Sequence, residues 1–299
     1  MKQTLKIIDD YDKNNQTSKT DLLIKKLKKE KKNFQTISTG YSTKIIVENS
    51  NIDYFLAETF SGEKFFYYVN KLKKEIKESG IFVDEIPQDE IKYFDIYQKI
   101  NEIDFSMSEK SVYCIDINSA YLSVLFKEGF ISQDLFIELS QVEKEIRLKI
   151  VGSLATQKTI IKYIEGKPVS IESKTDENMR NIFFYLCYEI GRTMNHIKQY
   201  CRQNYLFFWV DGIYFFSDEK YICEPKFINT LFSAYGFETK TEQLFNFSVS
   251  KNHENIYLNF FKDKELTKKK SFIIPLQNTI KNINKNNIKK TEHELNSKN

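Results

Sequence analysis

The chain has 299 residues, 41% of them hydrophobic and 29% charged, with a formal net charge of +4. That is enough apolar material for one substantial core or two small ones, and it excludes a disordered or fibrous chain. No apolar run approaches the roughly 18 residues of a membrane span, and the N-terminus lacks a signal-peptide core, so the reading is a cytoplasmic protein with no membrane partner.

Four cysteines, Cys114, Cys187, Cys201 and Cys223, form no CxxC pair and have no histidine nearby in sequence, which indicates neither a disulfide framework nor a structural zinc. Phe and Tyr are abundant while Gly and Pro are scarce, a composition that suits long helices and aromatic-packed strands in a compact α+β body. The near-balanced charge is a weak argument for a polyanionic partner. Basic residues nevertheless cluster at 25–32, 268–270 and 281–290, where each cluster serves either to neutralise phosphates or as a solvated face.

In chain order, residues 1–35 are polar and Lys-rich, with an amphipathic stretch from Asp21 to Lys28 that predicts a helix. Between 40 and 110 come a strand at Thr43 to Glu48, an aromatic run from Lys64 to Val69 leading into a charged helix, and Pro87 as punctuation. Residues 1–110 read as an N-terminal region of unknown role, through which a protein partner stays open.

Val112 to Ile117 predicts a strand, followed by a helix that Asn118 or Ser119 caps and that stops near Gly129. A second helix is expected from Gln141 to Lys158, with Arg147, Val151, Leu154 and Lys158 on one side. A hairpin over Thr159 to Ser173 turns at Glu165-Gly166, and a long helix runs from Glu177 to Arg202, its Ile182, Leu186, Ile190 and Met194 spaced four apart. Two strands, Tyr205 to Val210 and Ile213 to Phe216, join at Asp211-Gly212. A helix near Glu224 to Ala234 precedes strands at Thr239 to Val249 and Asn255 to Phe261, and the tail beyond Gln277 is expected to be disordered.

Phosphoryl transfer needs divalent cations, for which carboxylates are the natural hard ligands. Asp116 ends one apolar run and Asp211 interrupts another, and a buried aspartate calls for a metal or a cation as partner. Taken alone, Asp211 is equally an ordinary turn residue and Asp116 a helix cap.

The order of these segments resembles the family B DNA polymerases, specifically a minimal palm of phage or mobile-element type. The family's first motif, D-x-x-S-L-Y-P-S, is matched by Asp116-Ile-Asn-Ser-Ala-Tyr-Leu-Ser, with Leu122 in place of proline. Its third motif, Y-x-D-T-D-S, is matched by Phe207-Phe-Trp-Val-Asp-Gly, with Asp211 at the second aspartate and Trp209 at the first. The resemblance implies a palm in which Asp116, Asp211 and the carbonyl of Ile117 bind two Mg2+ or Mn2+ ions. It also implies that Tyr121 floors the sugar pocket, with core packing as its other reading, and that Ser119 lies at the nucleotide.

The family's second motif, K-x-x-x-N-S-x-Y-G, is matched only loosely by the stretch after Arg147, which leaves Arg147, Lys149, Ser153 and Lys158 as candidates at the triphosphate, Lys149 slightly favoured. Lys268, Lys269 and Lys270, followed by Ser271 and Phe272, resemble the basic K-K-x-Y segment that grips the primer–template duplex. The implied architecture is an α+β palm over 111–262, with an antiparallel sheet backed by helices and a very short helical fingers insertion at 130–158. A small thumb-like basic segment follows at 263–299. No D-x-E pattern precedes residue 111, so the family's proofreading exonuclease is not expected. The expected activity is transfer from dNTPs to a primer 3′ end on a DNA template. A primase-like or template-independent nucleotidyltransferase, or a non-catalytic relative that binds nucleic acid, stays open.

Overall fold

The computed structural model describes residues 2–9, 11–12, 17–57, 63–97, 111–217, 223–253, 255–265 and 267–275. The expected disordered tail and the lysines at 281–290 lie outside the described residues.

In chain order the elements begin with β1 Gln3–Ile8, β2 Tyr11–Asp12, β3 Thr17–Ser18, α1 Lys19–Lys29, β4 Phe34–Ser38, β5 Ser42–Val47, β6 Ile52–Ala57 and α2 Glu63–Glu78. Next come β7 Phe94–Ile96, β8 Ser111–Ile117, α3 Ala120–Lys127, α4 Gln133–Ser140, α5 Lys144–Gly152, β9 Lys158–Ile164 and β10 Lys167–Lys174. The last are α6 Glu177–Cys201, β11 Tyr205–Trp209, β12 Gly212–Ser217, α7 Pro225–Ala234, β13 Thr239–Lys251, β14 Asn255–Phe261 and β15 Lys269–Pro275. The protein is mixed α+β.

The chain divides into two compact units, one made of residues 1–91 and 119–189, the other of 92–118 and 190–299. The first holds a six-stranded sheet in the order β1-β6-β5-β4-β9-β10, antiparallel except for the β1–β6 pair. Its core cluster joins Leu27 of α1 to Phe34, Ile45, Val47, Leu56 and Tyr163, with the Phe34 and Tyr163 rings stacked at 4.3 Å. The turn between β9 and β10 falls at Glu165-Gly166 as expected, both residues having positive φ (48° and 74°), which is the backbone of a type I′ hairpin.

The helix expected from Gln141 to Lys158 is shorter. It spans Lys144–Gly152, continues as one 3-10 turn over Ser153–Ala155, and Lys158 begins strand β9 instead. The physical reason is the β-branched run Thr159-Ile160-Ile161, which pairs along β4 (Ile37↔Ile160, Thr36↔Ile161) and draws Lys158 out of the helix. Lys158 therefore does not share a helical face with Arg147.

The second unit holds a seven-stranded sheet in the order β15-β14-β13-β8-β12-β11-β7, with every neighbouring pair antiparallel. On one face, Val112 and Cys114 of β8, Phe207 of β11, Tyr214 and Phe216 of β12, Leu244 and Phe247 of β13, Leu258 and Phe260 of β14 and Phe272 of β15 make one aromatic-rich core. Strand alternation sends Ile115, Ile117, Ile213 and Phe215 to the opposite face, where they are buried, and α7 packs on β8 through its own buried Ile228 and Phe232. Residues 269–275, the described part of the expected thumb-like segment that forms a strand, belong to this same sheet through β14.

The thiols of Cys201 at the end of α6 and Cys223 before α7 are hydrogen-bonded to each other and buried, although the sequence shows no pairing of cysteines. Among the described residues no helix is long and apolar enough to cross a membrane.

Candidate active site

Asp116 sits next to the end of β8, in the middle of its sheet, paired on one side with Gly212 of β12 and on the other with Lys240 of β13. Trp209 pairs with Gly212, and Phe94 pairs with Trp209, so one row crosses five strands: Phe94, Trp209, Gly212, Asp116, Lys240. Directly opposed residues project to the same face. The row thus lies at the rim of the aromatic core, where the apolar side gives way to charge.

Asp211 lies in the turn beside this row, and its carbonyl accepts a hydrogen bond from the Ile117 amide at 2.9 Å. That bond ties the turn to the strand carrying Asp116. The expected Asp211-Gly212 turn is shifted by one residue: Gly212 is already in the strand, and Val210 and Asp211 form the loop. Val210 adopts a left-handed conformation (φ 53°), unfavourable for a β-branched residue, and its amide donates to the Tyr93 carbonyl at 2.6 Å. Backbone strain of this kind concentrates at functional sites.

Gly212 has a local role that a larger residue cannot fill. A Cβ at this position would meet the Asp116 Oδ1 at 3.1 Å and the Cys114 Sγ at 3.5 Å, so the bare Cα leaves the carboxylate its space. Beneath it, the Tyr214 hydroxyl is hydrogen-bonded to the Cys114 thiol. Burial pushes the Cys114 thiol up to about 12, with the Tyr214 bond pulling the other way and the Asp116 charge adding to the rise. Burial, then Cys114, then Asp116 and Asp211 raise the Tyr214 hydroxyl, so both side chains are neutral and Tyr214 senses both carboxylates.

Trp209, at the position of the family's first aspartate, packs instead: its ring stacks on Phe94 at 5.7 Å and lies 5.4 Å from Phe272. Among the described residues no group of three or more His, Cys, Asp or Glu side chains is placed to hold a metal ion. Two carboxylates flanking a bare glycine nonetheless suit a hard cation that completes its shell with substrate phosphate oxygens and water, which is how Mg2+ is commonly held.

Of the other candidates, Lys268, Lys269 and Lys270 belong to this unit and are exposed, Lys270 lying 4.9 Å over the Phe272 ring. The remaining ones fall in the other unit. Ser119 precedes α3 with φ 52°, and of the two expected capping residues, Asn118 and Ser119, Ser119 makes no side-chain cap hydrogen bond. Tyr121, half-buried in the first turn of α3, stacks on Phe183 at 6.1 Å. The Arg147 guanidinium donates to the carbonyls of Ser140 and Val142, closing the C-terminal end of α4. The Ser153 hydroxyl is buried and donates to the Ile150 carbonyl at 2.6 Å. Lys149 lies in the last turn of α5, and Lys158 is exposed at the start of β9.

Three charged residues near the aspartates were not singled out from sequence. Lys240 Nζ donates to Glu242 Oε1 at 2.8 Å, and Lys262 Nζ donates to Glu242 Oε2 at 2.6 Å. For two of them the signal was present in the strand at Thr239 to Val249, where Lys240 and Glu242, two residues apart, share one face.

No family model matches the chain, and no curated protein matches it.

Proposed function

We propose that the protein is a metal-dependent nucleotidyltransferase of the DNA polymerase type, adding dNTPs to a primer 3′ end on a DNA template. The observation that carries this reading is the placement of Asp116 and Asp211 at one end of one antiparallel sheet, joined by the Ile117–Asp211 backbone bond and spaced by Gly212. The two segments lie far apart in sequence, and their motifs resemble the first and third motifs of family B DNA polymerases.

In this reading Asp116 and Asp211 hold Mg2+ or Mn2+, which when bound supplies charge stabilisation for the phosphates and a more acidic primer hydroxyl. The chain's own residues fix the two carboxylates. Neutral Tyr214 and Cys114 support Asp116 from below without competing for the cation, and the aromatic core limits water on that side. Lys268, Lys269 and Lys270 supply sequence-independent attraction for the duplex backbone. Arg147 and Ser153, by contrast, donate to backbone carbonyls, which gives each a structural role within its own unit.

The test is extension of a labelled primer on a DNA template with Mg2+ or Mn2+ and dNTPs, alongside a template-free reaction. Asp116→Ala and Asp211→Ala each lose template-directed extension in this reading. Extension without template would favour the terminal-transferase form, and binding without any extension would favour the non-catalytic relative.

A further inference from the structure

Lys240 is the register partner of Asp116 across the β8–β13 pair, so its side chain leaves the sheet on the carboxylate's own face. Two residues along β13, Glu242 accepts both the Lys240 and Lys262 ammonium groups, at 2.8 and 2.6 Å. Two cations on one anion leave the triad with an excess positive charge. Lys240 is the more exposed of the two lysines, its side chain retaining 64% of its accessibility against 36% for Lys262.

Ion pairs this exposed add little to the stability of a fold. Their effect here is positional: an ammonium on a flexible stem is held at a fixed place beside an acidic pair. A nucleic-acid strand whose end approaches two carboxylates meets repulsion from them, and a neighbouring ammonium offsets it at the nearest phosphate. We propose that Lys240, held in place by Glu242, binds a phosphodiester oxygen of the strand extended at Asp116 and Asp211. This inference rests on the polymerase reading. It adds a cation on the central sheet, separate from the lysines of 268–270.

The experiment compares wild type, Lys240→Gln, Lys240→Arg and Glu242→Gln by two measurements: affinity for a labelled primer–template in EDTA across a salt series, and steady-state extension. For Lys240→Gln the slope of log K against log salt falls by about 0.9, the value for one phosphate. KM for primer–template rises about tenfold, and kcat stays within about twofold. Lys240→Arg restores both slope and KM, because the charge returns. Glu242→Gln raises KM but keeps the slope, since the ammonium remains while its clamp is lost.

A wild-type enzyme that extends primers, with Lys240→Gln matching it in slope and KM, overturns this inference and leaves the polymerase reading standing. A wild-type protein that neither binds nor extends a primer–template overturns both.

Discussion

Gly212 faces Asp116 across the β8–β12 pair so closely that one added methyl would sit 3.1 Å from the carboxylate oxygen. The contact is with the end of a side chain rather than with backbone, so the carboxylate gives way. Gly212→Ala is therefore expected to displace the Asp116 carboxylate while the fold persists. In the proposed enzyme, kcat/KM for extension falls by about tenfold or more, because small displacements of reacting groups are costly. The melting temperature changes by only a few degrees. A variant with full activity would mean that the Asp116 geometry is not critical.

The Glu242 carboxyl gives a stability signature in acid. Burial raises its pKa, but the hydrogen bonds from Lys240 and Lys262 outweigh burial and hold the group at about 2, below its ordinary value of 4.5. A depressed pKa contributes stability above the ordinary value, and that contribution disappears as pH falls from about 4.5 through 2. Solvent around the exposed lysines screens the interaction, so its size is on the order of 1 kcal/mol. Denaturant melts of wild type and Glu242→Gln should show a gap of that order near pH 6 that closes towards pH 2. A gap independent of pH would contradict the ion triad.

Gly166 tests the hairpin of the other unit. Its φ is 74°, and an added Cβ would lie 2.4 Å from the Lys28 carbonyl oxygen of α1, a backbone atom that cannot step aside. The same turn is tied down by the Gly166 amide on the Lys32 carbonyl and by the Glu165 amide on Asn33 Oδ1. Gly166→Ala combines a disfavoured backbone with a steric clash and is expected to cost more than about 2 kcal/mol in an unfolding titration. A loss below about 0.5 kcal/mol would show that the turn does not press on α1.

What could be read from sequence was mostly local. Glu165-Gly166 announced its turn through Gly166, which takes positive φ without cost, and the four-residue spacing of Ile182, Leu186, Ile190 and Met194 marked the buried stripe of α6. Asp116 and Asp211 were identified through motif order, and strand pairing places their segments side by side. What escaped depended on partners distant in the chain. Lys158 left its expected helix because β4, more than a hundred residues earlier, offered a strand to pair with. The Asp-Gly turn moved back one residue because Trp209 pairs with Gly212 and stacks on Phe94, leaving Val210 in the left-handed position. Lys240 became relevant only when register set it opposite Asp116.

Phe272 decides how firmly the last described strand is attached. Among the described residues β15 is an edge strand whose one sheet neighbour is β14, yet its Phe272 ring reaches four aromatic partners: Phe207 at 5.6 Å, Trp209 at 5.4 Å, Tyr214 at 5.5 Å and Phe260 at 5.8 Å. Through Trp209 and Tyr214 it touches two rings close to the aspartates. Truncating a buried phenylalanine costs about 3–5 kcal/mol, and here the void opens beneath an edge strand able to separate. Phe272→Ala is expected to lower stability by that amount and to speed amide exchange along β14–β15 before it does so in β8 or β12. In the proposed enzyme it also weakens primer–template binding, because Lys269 and Lys270 ride on the loosened strand. Uniform exchange across the sheet would show instead that β15 opens only with the whole unit.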